Sequence, residues 1–224
     1  KANLIALRHN PVSVELMDKA ILDLTKENIN QNKNRFFVYG EPAAILIVEF
    51  AEETQEEIKQ KTEDLESAIK AEKLGYHFPV ITGNDIKKVW NLRKAGLGVL
   101  SNMPGDAKPV PVIEDTAVNP EVLPQYIDEF NALLRKHNLS CVYYAHIGTG
   151  ELHLRPVLNL RDPKDVMLFH TIALETAKLV KKYKGSLSGE HGDGRLRGEF
   201  IPLMIGEKNY SLLTKIKHTW DPFG

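Results

Sequence analysis

Thr149-Gly150, set between two runs rich in apolar and aromatic residues, constrains the fold more than any other short stretch. Cys141-Val142-Tyr143-Tyr144-Ala145 leads into it and Leu152-His153-Leu154 leads out, which reads as a β-hairpin. With Thr149-Gly150 as a two-residue turn, residue 148 pairs with 151, 147 with 152 and 146 with 153. His146 and His153 then face each other across the ladder with Cβ atoms roughly 5 Å apart, close enough for two imidazoles to grip one divalent ion. The third ligand is expected from Ser188-Gly189-Glu190-His191-Gly192-Asp193-Gly194, where Glu190 is the best candidate. A cation held by two neutral imidazoles and a carboxylate keeps an open position that polarises a substrate oxygen. His191 points elsewhere in an extended loop and is free to act as a base. Gly189 and Gly192 let a cofactor or substrate approach the backbone closely. A bland reading stands beside this one, because single histidines on strands ordinarily serve core or surface, and neither HExxH nor a cysteine cluster is present.

Composition narrows the class. The 224 residues include 29 basic and 30 acidic side chains, which gives no electrostatic case for nucleic acid or an anionic membrane. The single cysteine, Cys141, excludes a disulfide framework and suggests a reducing, cytoplasmic setting, with peripheral membrane association left open. No apolar run reaches the roughly 20 residues of a membrane span. A first residue of Lys1 and the ending Trp220-Asp221-Pro222-Phe223-Gly224 suggest a fragment.

Alternating patterns predict an α+β fold: an antiparallel sheet flanked by helices, arranged as two ferredoxin-like units packed together. Expected strands are Ala2 to Arg8, the clearly buried Ala43 to Phe50, and a short one from Tyr76 to Ile81. Helices are expected over Val14 to Glu27, Glu53 to Leu74, Asn84 to Leu100, Asn119-Pro120 to His137, and Asp162-Pro163 to Tyr183 with Gly185 as its stop. Lys178, Lys181, Lys182 and Lys184 should complement the last helix's C-terminus, and Arg195 to Arg197 should form a solvated helix face. Trp90 and Trp220 should anchor core or interface.

HIGTGELHLRPVLNL followed by SGEHGDG resembles the C-terminal substrate, or cap, domain of FAD-linked oxidases of the vanillyl-alcohol-oxidase type. The D-2-hydroxyacid dehydrogenases acting on D-lactate, glycolate or D-2-hydroxyglutarate are most similar. The likeness spans residues 1–224 and includes Trp90-Asn91-Leu92-Arg93, Lys108 and Glu114-Asp115. It implies one cap domain of a larger flavoprotein, with an FAD-binding domain upstream and this fragment inactive alone. It further implies His146, His153 and Glu190 as ligands of a divalent metal, zinc by preference, His191 as catalytic base, and Arg93 and Lys108 as binders of substrate carboxylate. The reaction implied is oxidation of a D-2-hydroxyacid to the 2-oxoacid with hydride transfer to FAD. SGEHGDGRLRGEF is similar to large members carrying an added iron–sulfur cluster; the electron acceptor stays open. Thr149 and Glu151 depart from the family's Asp and Asn, and Leu97 stands where relatives carry a hydroxyl residue near substrate. The docking face for the flavin domain should show an apolar patch. Two other readings stay open: a non-catalytic ferredoxin-like binding module, and a metal-dependent hydrolase using Glu190 or His191 to activate water.

Overall fold

Asp18 decides where the first strand ends, because its carboxylate accepts from the Ile21 N–H and starts a helix. The computed structural model describes the backbone of residues 1–224 and every side chain except that of Leu97, so the expectation about Leu97 lies outside it. In chain order the elements are α1 (Ala2–Leu7), β1 (Ser13–Asp18), α2 (Lys19–Glu27), α3 (Ile29–Asn32), β2 (Ala44–Glu49), α4 (Gln55–Ala71), α5 (Ile86–Leu100), β3 (Lys108–Pro109) and β4 (Thr116–Ala117). They continue as α6 (Leu123–Lys136), β5 (Cys141–His146), β6 (Glu151–Leu158), α7 (Pro163–Lys182), α8 (Gly194–Arg197), α9 (Ile201–Ile205) and α10 (Glu207–Trp220).

The fold is α+β, with one antiparallel sheet in the order β2-β1-β5-β6-β3 and β4 pairing the start of β6. It does not confirm the two ferredoxin-like units; the strands run as a single sheet. Helices cover both faces. On one, Ile21 and Leu22 of α2 and Leu92 and Leu100 of α5 pack on Met17, Val142 and Tyr144. On the other, Tyr126 and Phe130 of α6 and Ile172 and Val180 of α7 pack on Ala145, Leu152 and Leu154, while Leu65 and Ile69 of α4 join Ala6 and Val14. At about 25 cal/mol per Å² of apolar surface removed from water, these two layers are the main stabilising term.

Several expectations hold because their signals are local. Thr54 and Glu57 make a reciprocal capping box at the start of α4. Asn119 accepts from the Glu121 N–H in the short 3-10 turn Pro120–Val122 that leads into α6, and Asp162 from the Lys164 N–H in the first turn of α7, each followed by proline. Helix α7 ends with Lys184, rather than Gly185, in the left-handed region. Gly185 is still required, since a Cβ there would lie 2.3 Å from the Ala117 carbonyl oxygen.

Other expectations fail for tertiary reasons. Ala2 to Arg8 is helical, with Ala6 fully buried and Asn3 donating to the Ile147 carbonyl. Val14 to Glu27 is not one helix. Its apolar residues suit both periods over a short window, and pairing with β2 and β5 draws Ser13–Asp18 into the sheet. Strand β2 lies at the sheet edge and is only half-buried. Tyr76 to Ile81 forms no strand; Tyr76 and Val80 are exposed and the Tyr76 hydroxyl donates to the Tyr39 carbonyl. Lys181 and Lys182 do stand in the last turn of α7 as expected, and their ammonium groups also reach the Met204 carbonyl and Glu129. Trp90 is half-buried and donates to Glu49, whereas Trp220, at 85% exposed, is no part of the core.

Candidate active site

Alternation along β1, β5 and β6 collects one set of side chains on the sheet face beside α5. Strand pairing sets His146 opposite Glu151 and Tyr144 opposite His153. The turn is therefore a four-residue loop, Ile147 to Gly150, and the expected pairing of 146 with 153 is two residues out of register. The loop is longer because it is pinned from outside: the Gly148 N–H donates to the Val14 carbonyl, and the Gly150 carbonyl accepts from the Val118 N–H. Gly150 has φ +80, and a Cβ there would lie 1.9 Å from the Val118 carbonyl oxygen. A slip of two preserves the face, so the histidines become diagonal neighbours with ring centroids 5.2 Å apart.

Glu190 of the glycine-rich loop closes over them. Its Oε1 lies 3.6 Å from His146 Nε2, 3.7 Å from His153 Nε2 and 3.3 Å from His191 Nε2. One donor atom from each of His146, His153 and Glu190 falls within 4.8 Å of the others. Tetrahedral zinc, with ligand bonds of about 2.0–2.1 Å, separates its donors by about 3.3 Å; the two carboxylate–imidazole separations, 3.6 and 3.7 Å, are within a few tenths of an ångström of that.

The imidazoles are prepared differently. His146 Nδ1 lies 2.8 Å from the buried Glu15 carboxylate, which turns Nε2 toward Glu190 and raises the ring's pKa. His153 is 3% exposed; burial, with His146 and Arg93 adding positive charge, pushes its pKa down to about 3 and keeps it neutral. Its Nδ1 is buried with no hydrogen-bond partner, and stacking on Tyr144 at 4.6 Å orients the ring instead. His191 stacks 5.5 Å beyond, and its Nδ1 lies 3.8 Å from Glu114, which is itself paired with Arg155.

The loop rests on Asp115, a fully buried carboxylate that accepts from Ser188 Oγ and from the N–H groups of Glu190 and His191. Burial alone would raise its pKa; these hydrogen bonds outweigh that and hold it below the usual range. Arg197 is buried, not solvated as expected, and bonds the carbonyls of Glu114 and Gly192 and approaches Asp115. A Cβ at Gly189 would lie 2.9 Å from the Glu151 carboxyl carbon, so the Glu151 side chain would have to shift to admit one. Gly192 has φ +80 with open space around it.

Arg93 reaches the site, with its guanidinium committed to Glu15 through Nε at 3.0 Å and Nη2 at 2.8 Å, and its charge over the Tyr144 ring. Lys108 does not. It pairs with Leu158, five residues beyond His153 and hence roughly 16 Å along β6, and its ammonium bonds the Met103 carbonyl. Sequence reading missed Glu15, Tyr144 and Arg155 as site residues; only strand register reveals them.

Burial, with Asp115 beside it, lifts the Glu151 pKa to about 7. An acid raised on folding stabilises most below its unfolded pKa of 4.5 and loses that contribution as pH rises toward 7. Glu151→Gln should therefore gain stability relative to the parent by about 2 kcal/mol between pH 4.5 and pH 8, after discounting for partial exposure. Urea melts at both values check this, and a difference that stays constant with pH sinks it.

Comparison with known proteins extends the geometry. Residues 2–224 match the family model for FAD linked oxidases, C-terminal domain. The chain belongs to this family. Among relatives of this FAD-linked oxidase domain is the D-2-hydroxyglutarate dehydrogenase of Pseudomonas putida, 35% identical over 96% of the chain and 22% of that protein. The glycolate oxidase subunit GlcD of Bacillus subtilis is 20% identical over 99% of the chain and 45% of its own length. The chain thus spans under half the length of either. The 4-ethylphenol oxidase of Gulosibacter chungangensis, solved with isoeugenol, shares the fold with a TM-score of 0.58 at 11% identity, covering 94% of this chain and 45% of that one. The resemblance to the vanillyl-alcohol-oxidase type is borne out. Among the described residues, no helix is long and apolar enough to cross a membrane.

Proposed function

We propose that the protein carrying this chain oxidises a D-2-hydroxyacid to the 2-oxoacid, with D-2-hydroxyglutarate as the first substrate to test. The observation that carries the reading is the convergence of His146, His153 and Glu190 on one point with His191 3.3 Å from the shared carboxylate oxygen. Membership in the FAD-linked family supports the redox class over a hydrolase or a non-catalytic module.

His146, His153 and Glu190 would hold a divalent metal, zinc by preference. Bound there, the ion supplies Lewis acidity that lowers the substrate hydroxyl's pKa. FAD, held mainly by an FAD-binding domain outside these residues, supplies the hydride acceptor. His191 Nε2 takes the hydroxyl proton. The site histidine His146 and the loop side chains Glu190 and His191 keep 38 to 48% of their side-chain surface exposed in this chain, which leaves that side open to substrate and flavin. Arg93 orders the site through Glu15 and adds positive charge for the substrate carboxylate, while Lys108 is left out of the constellation. One cysteine cannot ligate an iron–sulfur cluster, so any cluster would need ligands outside these residues.

The test uses the whole flavin-loaded protein without oxygen. D-2-Hydroxyglutarate, D-lactate, glycolate and the L-isomers are mixed with it in turn while flavin absorbance near about 450 nm is followed. Bleaching by one D-acid, abolished by a chelator and restored by zinc, is the expected result. Absence of bleaching with every hydroxyacid removes the substrate class, and bleaching indifferent to the chelator removes the metal.

A further inference from the structure

We infer that Asp115 is a positioning residue that sets the proposed metal ligand Glu190 and the proposed base His191 in place together; this rests on the metal reading above. Three consecutive N–H groups converge on this one residue. The Gly189 N–H donates to its backbone carbonyl at 2.7 Å, the Glu190 N–H to Oδ1 at 2.8 Å and the His191 N–H to Oδ2 at 3.0 Å. Ser188 Oγ adds a fourth donor at 2.6 Å. Fixing successive N–H groups on one buried anchor fixes the peptide planes between them, and hence the directions in which the 190 and 191 side chains leave the backbone.

Asp115 is itself held from both sides. Its N–H donates to the Leu152 carbonyl at 3.0 Å, which ties it to the strand that carries His153. Arg197 Nη2 lies 3.3 Å from Oδ2 and also donates to the Gly192 carbonyl at 2.7 Å, spanning anchor and loop. Asp115 also adopts φ +87, a conformation L-residues rarely take, which persists where surrounding structure over-determines it. The residue thus couples two segments far apart in sequence: the β6 strand supplying His153 and the loop supplying Glu190 and His191.

Asp115→Asn replaces one acceptor oxygen by an amide nitrogen facing an N–H, so part of the cradle becomes repulsive. The test uses the whole protein, stripped of metal, unchanged and as Asp115→Asn, Arg197→Lys and His146→Ala. Hydrogen exchange of residues 188–194 is read by mass spectrometry, and zinc affinity by competition with a chromogenic chelator. Asp115→Asn should speed exchange of that segment about tenfold or more and weaken zinc about 10–100-fold, as for other residues that orient metal ligands. Protection elsewhere in the sheet should be kept, and Arg197→Lys should shift both readings less in the same direction. His146→Ala should lose zinc with the segment still protected. Unchanged exchange, or faster exchange with unchanged zinc affinity, overturns the inference. Should Asp115→Asn not fold, Arg197→Lys decides: faster exchange confined to 188–194 supports the role, and unchanged exchange overturns it. Unmodified protein that binds no zinc is the separate signature that the metal reading has failed; segment exchange in Asp115→Asn then decides alone whether Asp115 holds the loop.

Discussion

His153→Ala is expected to remove metal binding from an otherwise folded protein, lowering zinc affinity by about two to three orders of magnitude. Structural zinc sites bind with about 10–16 kcal/mol over four ligands, or roughly 2.5–4 kcal/mol for each. His153 is the buried member, neutral at working pH and stacked on Tyr144, so no exposed neighbour replaces it by a rotamer change. Zinc at about a thousand times its Kd should stabilise the unchanged protein by about 4 kcal/mol. For a domain of this size that is a rise of roughly 10 °C in Tm. Melting curves with and without zinc make the comparison, and an equal zinc-dependent rise in the alanine variant would show that the diagonal histidine pair is structural.

His191→Asn should separate proton transfer from metal binding. Loss of a positioned general base costs about 10²–10⁴-fold in rate, so kcat should fall by that factor with KM and zinc affinity little altered. The geometry supports a separable role, since His191 stands 3.3 Å from Glu190 Oε1 but is not needed to complete the set of three donors. Rates come from anaerobic flavin reduction in the whole protein. A kcat within a few-fold of the unchanged enzyme would move the base to another residue, with Glu114, 3.8 Å from His191 Nδ1, next to test.

Much of the site was legible before any coordinates because its chemistry sits in two short segments. HIGTGELH announces a hairpin, and a hairpin with histidines near the turn keeps them on one face even when the register slips by two, since strand side chains repeat every two residues. SGEHGDG announces a loop carrying an acid and an imidazole. The starts marked by Asn119-Pro120 and Asp162-Pro163 were legible for the same reason: a cap is written within four residues. Elements whose identity depends on distant partners were misread. Ser13–Asp18 carries apolar residues that suit either period, and only pairing with Ala44–Glu49 on one side and Cys141–His146 on the other makes it a strand.

The same division runs through the site. From its sequence alone this chain declares an α+β fold, a histidine hairpin, an acid-bearing glycine loop, and through them its family, because each is encoded by neighbours in the chain. Tertiary structure alone decided that Glu15 orients His146, that Asp115 and Arg197 hold the loop, and that Lys108 lies too far along β6 to join. Those partners are separated by up to 131 residues, and no local propensity records which buried carboxylate will meet which donor. That is settled only when strands fix their register and helices on both faces bury the sheet, making each unpaired charge costly enough to select a single arrangement.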